Sequence, residues 1–333
     1  MSLLPSKRSE KLPLMNKGTN PLAGKELLRR AAEFGLIAAI AFSAVGKVCA
    51  SPNPVGATGG IGQNGKEDSL TPPAQGSIPV AFLLSEGAVM IDFSGPWEVF
   101  QDVMIPGRAD PPFRLYTVAE TTHPIHASGG MTITPDYNLE NAPAPKVIVI
   151  PAQSEPTAAV LDWIRKSTKN TDVTMSVCTG AFVLAKTGLL SGKAATTYHG
   201  AFVTFATQFP DIHLKRGARF VEDGNLATAG GLSSGIDLAL RVVERYYGRE
   251  VAQKTAYNME YQGQGWMDRN SNQIYATTPV STAEHPLCPV CQMDVAPTTA
   301  PKSVFKGKTY YFCSEEDKKT FDATPDKFVD AAK

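Results

Sequence analysis

The chain has 333 residues, 43% hydrophobic and 19% charged, with 32 basic side chains balanced by 32 acidic ones. That length exceeds the needs of one average domain, and the apolar content excludes disorder throughout. Zero net charge excludes a general basic field for nucleic acid or anionic lipid, and five cysteines are too few for a small disulfide scaffold.

Residues 1–33 carry Lys7, Arg8, Lys11, Lys17, Lys25, Arg29 and Arg30 against Glu10, Glu26 and Glu33. An uncharged, mostly apolar run of 13 residues follows from Phe34 to Gly46. It is short for a membrane span, which needs about 20 residues, but suits the core of a secretory signal. Val48-Cys49-Ala50 then offers small residues for cleavage before Ser51. The expectation is export, with the protein periplasmic or tethered to a membrane through this segment alone. The alternatives are an uncleaved anchor or an apolar helix of a cytoplasmic protein. From Ser51 to Gly76, 10 of 26 positions are Gly or Pro, which reads as a flexible linker.

Residues 77–262 alternate between strand and helix patterns. The short apolar runs at 79–84, 113–120, 146–152, 173–177 and 193–198 read as strands. Helices are expected at 95–104, where Pro96 marks a first turn, and at 158–167, 180–190, 202–209, 233–248 and 250–261. Asp223-Gly224 lies between extended flanks at 219–229 and signals a hairpin. The pattern predicts a doubly wound, mostly parallel α/β sheet, with chemistry beyond the carboxyl ends of its strands.

Cys178 falls at such an end, between the strand at 173–177 and the helix that follows. A helix N-terminus aimed at the sulfur would lower the thiol pKa and favour the reactive thiolate. The alternative is a buried cysteine packing as a small hydrophobe. Gly180 permits close backbone approach, and Thr179 sets a hydroxyl beside the sulfur. Asp92 follows the first strand at the same edge, placed either to handle protons or to cap the helix after it. Glu98, one turn on, competes for the first role. Ala229-Gly230-Gly231 offers an anion-cradling nest or simply a tight strand-to-helix connection.

The segments SVCTGAFVLAKTGLLSGKAATTYHG and IDFSGPWEVF together resemble the ThiJ/PfpI superfamily, which has a flavodoxin-like, class I glutamine-amidotransferase-like fold. The likeness covers residues 78–262 and is strongest to the branch holding isonitrile hydratase and the amidase-like domains of AraC-type regulators. It implies Cys178 as nucleophile, Asp92 as the acid against it, and Thr179 as the residue after the nucleophile where other branches carry His. Gly95, Gly180, Gly230 and Gly231 are expected around the substrate, and the resemblance implies a homodimer. His199 is shifted by one from the family's histidine, which leaves its role between catalysis and structure. No helix-turn-helix follows, so no nucleic-acid partner is expected. No phosphate-binding glycine motif is present either, so the catalytic domain is expected to work on a small-molecule substrate without a cofactor.

The polar stretch at 263–283 reads as a linker into a separate module at 284–333. There Cys288-x-x-Cys291 is followed, after 21 intervening residues, by Cys313. This spacing suits a tetrahedral metal site. From Cys288-Pro-Val-Cys291 through Tyr310-Tyr311-Phe312-Cys313-Ser314 to Pro325-Asp326-Lys327-Phe328, the module resembles the YHS domain, which implies zinc or another transition metal. Asp317 stands where many members have a further cysteine and serves as the fourth ligand, with His285 as an alternative. A Cys288–Cys291 disulfide is the competing reading.

The expected function is that of a cysteine-dependent hydrolase or hydratase, with an isonitrile hydrated to an N-substituted formamide. The alternative is an exported small-molecule, metal or redox stress sensor without turnover.

Overall fold

The computed structural model describes residues 69–277 and 281–329. The apolar segment at 34–46, the cleavage point before Ser51 and most of the 51–76 linker lie outside the described residues. Among the described residues no helix is long and apolar enough to cross a membrane.

In chain order the elements begin with β1 (Ile78–Leu83), α1 (Met90–Gln101), β2 (Phe113–Ala119) and the two-residue strands β3 (Ile125–His126), β4 (Thr132–Ile133) and β5 (Tyr137–Asn138). Then come β6 (Val147–Ile150), α2 (Ala158–Thr168), β7 (Val173–Ser176), α3 (Gly180–Lys186), β8 (Ala194–Ala195), α4 (Phe202–Gln208) and β9 (His213–Leu214). The hairpin β10 (Phe220–Asp223) and β11 (Leu226–Ala229) leads into α5 (Ser234–Tyr247) and α6 (Arg249–Asn258). The C-terminal module holds β12 (Lys302–Phe305), β13 (Lys308–Tyr311), α7 (Glu315–Ala323) and α8 (Asp326–Val329).

Seven strands form the central sheet in the order β10-β11-β7-β6-β1-β2-β5, all parallel except the edge strand β10. The chain winds outward from β1 in both directions, so the crevice between the ends of β1 and β6 is a topological switch point. Successive strand residues enter opposite layers, as a period of two requires. Val80, Phe82, Val147 and Val149 join the core under α1, α5 and α6. Ala81, Leu83, Ile148 and Ile150 join the one under α2, α3 and α4. This double burial is why these strands are continuous apolar runs.

Several boundaries differ from expectation. The first helix starts at Met90 rather than residue 95, which puts Asp92 in its first turn and Pro96 in its interior. The amide that Pro96 lacks would have bonded back to the Asp92 carbonyl. The next difference is α3, which ends at Lys186 because Gly188 turns left-handed (φ 80°). The strand expected at 193–198 is only the pair β8, bonded to β9 outside the main sheet.

The two expected linkers are also partly docked. Leu70 donates its N–H to the Arg245 carbonyl (2.7 Å). Trp266 is buried, with its N–H on Asp237 Oδ1 (2.9 Å), and Asn272 N–H reaches the Gly217 carbonyl (3.1 Å). For the second of them the reason is a buried ion pair, Arg219 Nε to Asp237 Oδ2 at 2.6 Å, that also collects the Tyr261 hydroxyl. In the module, β12 and β13 pair across Lys306-Gly307, both at positive φ, and pack with α7 and α8 around Phe312, Phe321 and Phe328.

Candidate active site

Cys178 occupies the turn between β7 and α3 with φ 58°, a left-handed conformation that costs energy in any residue with a Cβ. Its N–H donates to the Gly230 carbonyl (2.9 Å), and the Thr197 hydroxyl donates to its carbonyl (2.9 Å). Gly180 completes the turn. A Cβ there would come within 2.2 Å of the Ile150 carbonyl oxygen, so only glycine lets α3 start this close to β6. Strand ends β1, β6, β7 and β11 thus bring Asp92, Ala152, Cys178 and Gly230 to one edge of the sheet.

Asp92 is fully buried. Its Oδ2 accepts from the Ala152 N–H at 3.0 Å, while Oδ1 has no hydrogen-bond partner within reach of the protein's own N–H and O–H groups. Burial pushes this carboxyl up to about 6, opposed by the Ala152 amide and by the Cys178 thiol beside it. Cys178 moves the same way. Burial first, and the Asp92 charge second, push the thiol up to about 12, against donation from the Thr179 and Leu232 amides and the Thr179 hydroxyl. The thiolate expected from the helix N-terminus is therefore not the resting form, because desolvation outweighs the donors. The pair rests as thiol and carboxylate at neutral pH, a nucleophile with its base already beside it.

The glycines divide. Gly180 and Gly230 shape the elbow through backbone contacts, as above. Gly95 lies inside α1, where an added Cβ would meet Ile236 Cγ1 of α5 at 2.9 Å, so it packs two helices rather than facing a ligand. Gly231 is covered by the Tyr198 ring, within 2.6 Å of where a Cβ would stand, so the turn is no open cradle for an anion. Glu98 is exposed and bonds Gln101, away from the sulfur. His199 stacks on Tyr275 (centroids 4.5 Å apart, planes at 16°), and burial lowers its pKa. Sequence reasoning missed Leu232 and Ala152, whose contributions are backbone amides that no side chain advertises. Leu232 carries one structural sign, a positive φ of 50°.

In the module, one ligand atom from each of Cys288, Cys291, Cys313 and Asp317 lies within 4.8 Å of all the others. Cys291 and Cys313 sulfurs are 3.3 Å apart, and Asp317 Oδ2 meets Cys288 Sγ at 3.3 Å and Cys313 Sγ at 3.1 Å. All three are free thiols, not the Cys288–Cys291 disulfide of the competing reading. The Cys291 thiol donates to Cys288 and draws it down to about 7, toward the ligating thiolate. Three sulfurs and one carboxylate at this spacing suit a thiophilic divalent ion, whose arms of about 2.3 Å set ligands about 3.8 Å apart. His285 takes no part, since its ring bonds Asp294 (3.1 Å).

Residues 79–245 match the DJ-1/PfpI family, and residues 288–332 match the YHS domain. The chain is similar to isonitrile hydratase of Pseudomonas putida, 32% identical over 193 residues, which is 56% of this chain and 79% of that protein. It is also similar to the HTH-type transcriptional regulator CdhR of Pseudomonas aeruginosa, 29% identical over 144 residues, spanning 42% of this chain and only 43% of the regulator. A crystal structure of a THiJ/PfpI family protein from Pseudomonas syringae shares the fold, with TM-score 0.51 and 23% identity over 68% of this chain and 90% of that one.

Proposed function

The chain belongs to the DJ-1/PfpI family, and from that we propose that it is a cysteine-dependent enzyme hydrating isonitriles to N-substituted formamides. The observation that carries this reading is the buried Cys178–Asp92 pair, in which a carboxylate oxygen without a hydrogen-bond partner sits beside a thiol at a strained strand end. The similarity to isonitrile hydratase supplies the substrate class.

In this mechanism the sulfur of Cys178 attacks the terminal isonitrile carbon as its proton passes to Asp92. The Thr179 and Leu232 amides hold the charge that gathers on sulfur. Asp92 returns the proton to carbon, which leaves an S-linked thioformimidate. Asp92 then draws a proton from water and passes it to nitrogen while the water oxygen bonds to carbon. The C–S bond breaks, sulfur recovers the remaining hydroxyl proton through Asp92, and the formamide departs. The net change is addition of one water, and the thiol and carboxylate end as they began.

For the module, the fit of Cys288, Cys291, Cys313 and Asp317 supports a bound thiophilic metal. When bound, it would supply a clamp between the Cys288–Cys291 turn and the start of α7.

The test is formamide production from a simple alkyl isonitrile, comparing the full chain with Cys178→Ala. Turnover that disappears in the variant is the expected result. A folded parent with no turnover would refute the hydratase reading for the isonitrile used. A second reading, a small-molecule or redox sensor, draws on Cys291 and Cys313 lining one cavity with Tyr198 and with Thr179, the neighbour of Cys178. Such a protein would form an adduct at Cys178 without releasing product.

A further inference from the structure

We propose that the C-terminal module forms the outer wall of the path to Cys178, with Tyr198 and Met293 as a gate that admits small uncharged electrophiles. This rests on Cys178 being the reacting group, and not on isonitriles being its substrate.

A cavity of about 520 Å³ runs along the seam between the two parts of the described chain. The α/β domain lines it with Thr179, Phe182, Tyr198 and Ala201, and the module with Val290 and Met293. Thr179 adjoins Cys178, which is itself only 8% exposed, so the route to sulfur is narrow. Tyr198 stands across that route. Its ring lies on Gly231, and its hydroxyl meets Met293 Sδ at 3.8 Å. Tyr198 lines the cavity together with Thr179, the neighbour of Cys178, and with Cys291 and Cys313 of the module. The module is tied in place from the side, where the Thr204 hydroxyl of α4 donates to the Val290 carbonyl at 2.8 Å.

Charge narrows the choice of ligand. Glu155, Glu316 and Asp317 line the cavity, and its one lysine, Lys186, is paired with Glu155. Asp92 adds a further carboxylate behind the thiol. With Glu155 offset by Lys186 and Asp317 assigned to the metal, Glu316 in the cavity wall and Asp92 behind the thiol disfavour an anion, whereas a neutral molecule meets apolar walls at Phe182, Val290 and Met293.

Labelling of Cys178 in the full chain, followed on its own peptide by mass spectrometry, tests the gate without any turnover assay. Iodoacetamide is small and neutral, iodoacetate is its anionic counterpart, and N-cyclohexylmaleimide is neutral and bulky. Alkylation forms the S–C bond with loss of iodide and the thiol proton, while the maleimide adds across its double bond and takes that proton up. Met293→Ala is expected to speed the maleimide about fivefold and to change iodoacetamide less than twofold or so, with Met293→Leu behaving as the parent. Iodoacetamide is expected to outpace iodoacetate about tenfold beyond the same ratio for glutathione.

An unchanged maleimide rate in Met293→Ala overturns the proposal. So does an equal rise for both neutral reagents, which would mean general loosening. Failure to label Cys178 with any reagent overturns it too, since removing Met293 would then not open the path. Equal relative rates for the neutral and anionic reagents overturn its charge component. Isonitrile turnover enters none of these rates, so a negative hydration assay leaves the test standing.

Discussion

Asp92 shows how a single side chain can be placed for chemistry at the expense of stability. Its carboxyl titrates at about 6 in the fold against 3.8 in an unfolded chain, so folding favours the protonated form. That contribution is fully present below pH 4 or so and is lost as pH rises through about 6. Two pH units correspond to roughly 3 kcal/mol. Asp92→Asn, neutral at every pH, is therefore expected to be more stable than the parent at pH 7 by on the order of 2–3 kcal/mol in urea unfolding. The gain should shrink as the pH approaches 4. Asp223, held low by Lys193, contributes with the opposite sign and outside this window. The same variant should lose about 100-fold or more in kcat/KM, while the parent's kcat/KM rises through pH 6 or so as the base ionises. A variant that kept the parent's pH profile would remove Asp92 from the reaction. The sequence placed a carboxylate at the right sheet edge, but the direction of its pKa shift depends on burial that IDFSGPWEVF does not reveal.

At the scale of elements, β1, β2, β6 and β7 were legible because burial on both faces leaves no room for polar alternation, whereas the expected strand at 193–198 shrank to β8 outside the main sheet. The hairpin at Asp223-Gly224 was legible because its turn chemistry is local. The start of α1 was not, since a proline reads as a first-turn residue, whereas tertiary packing carries this helix through Pro96. Leu232 at the sulfur was equally hidden, because the loop after β11 delivers only a backbone amide. The glycines look alike in sequence and separate in structure. At Gly180 an added Cβ strikes the fixed carbonyls of Ile150 and Pro151 at 2.2 and 2.7 Å, while at Gly95 it meets the movable side chain of Ile236. Gly180→Ala should therefore destabilise by about 3 kcal/mol or more and splay β6 from α3, and Gly95→Ala by about 1 kcal/mol. Comparable urea midpoints for the two variants would mean that the elbow is softer than its backbone contacts indicate.

For the whole molecule, the hardest feature to read was the seam, because no periodicity encodes which loop of one unit docks on another. Cys288, Cys291, Cys313 and Asp317 could be grouped by spacing, but their nearness to Tyr198 depends on how the module is laid against α4. The module also raises a question of stability. Its buried set is six residues, Cys288, Val290, Val295, Phe312, Phe321 and Phe328, and three of these, Cys288, Val290 and Phe312, supply or adjoin the candidate metal ligands. A unit this small seldom holds itself together by apolar burial alone, and a metal clamp is the usual remedy. Purified full chain is expected to carry about one equivalent of a thiophilic metal, and Asp317→Ala and Cys313→Ser should each lower that content. Removal by a chelator should split thermal unfolding, with the module melting first and the α/β sheet, whose core is separate, melting near its original temperature. Loss of the module's wall should then raise maleimide labelling of Cys178 as Met293→Ala does. A chelated, metal-free chain that melts as the untreated protein does would show that the six-residue core suffices and that the four ligands do not form a structural site.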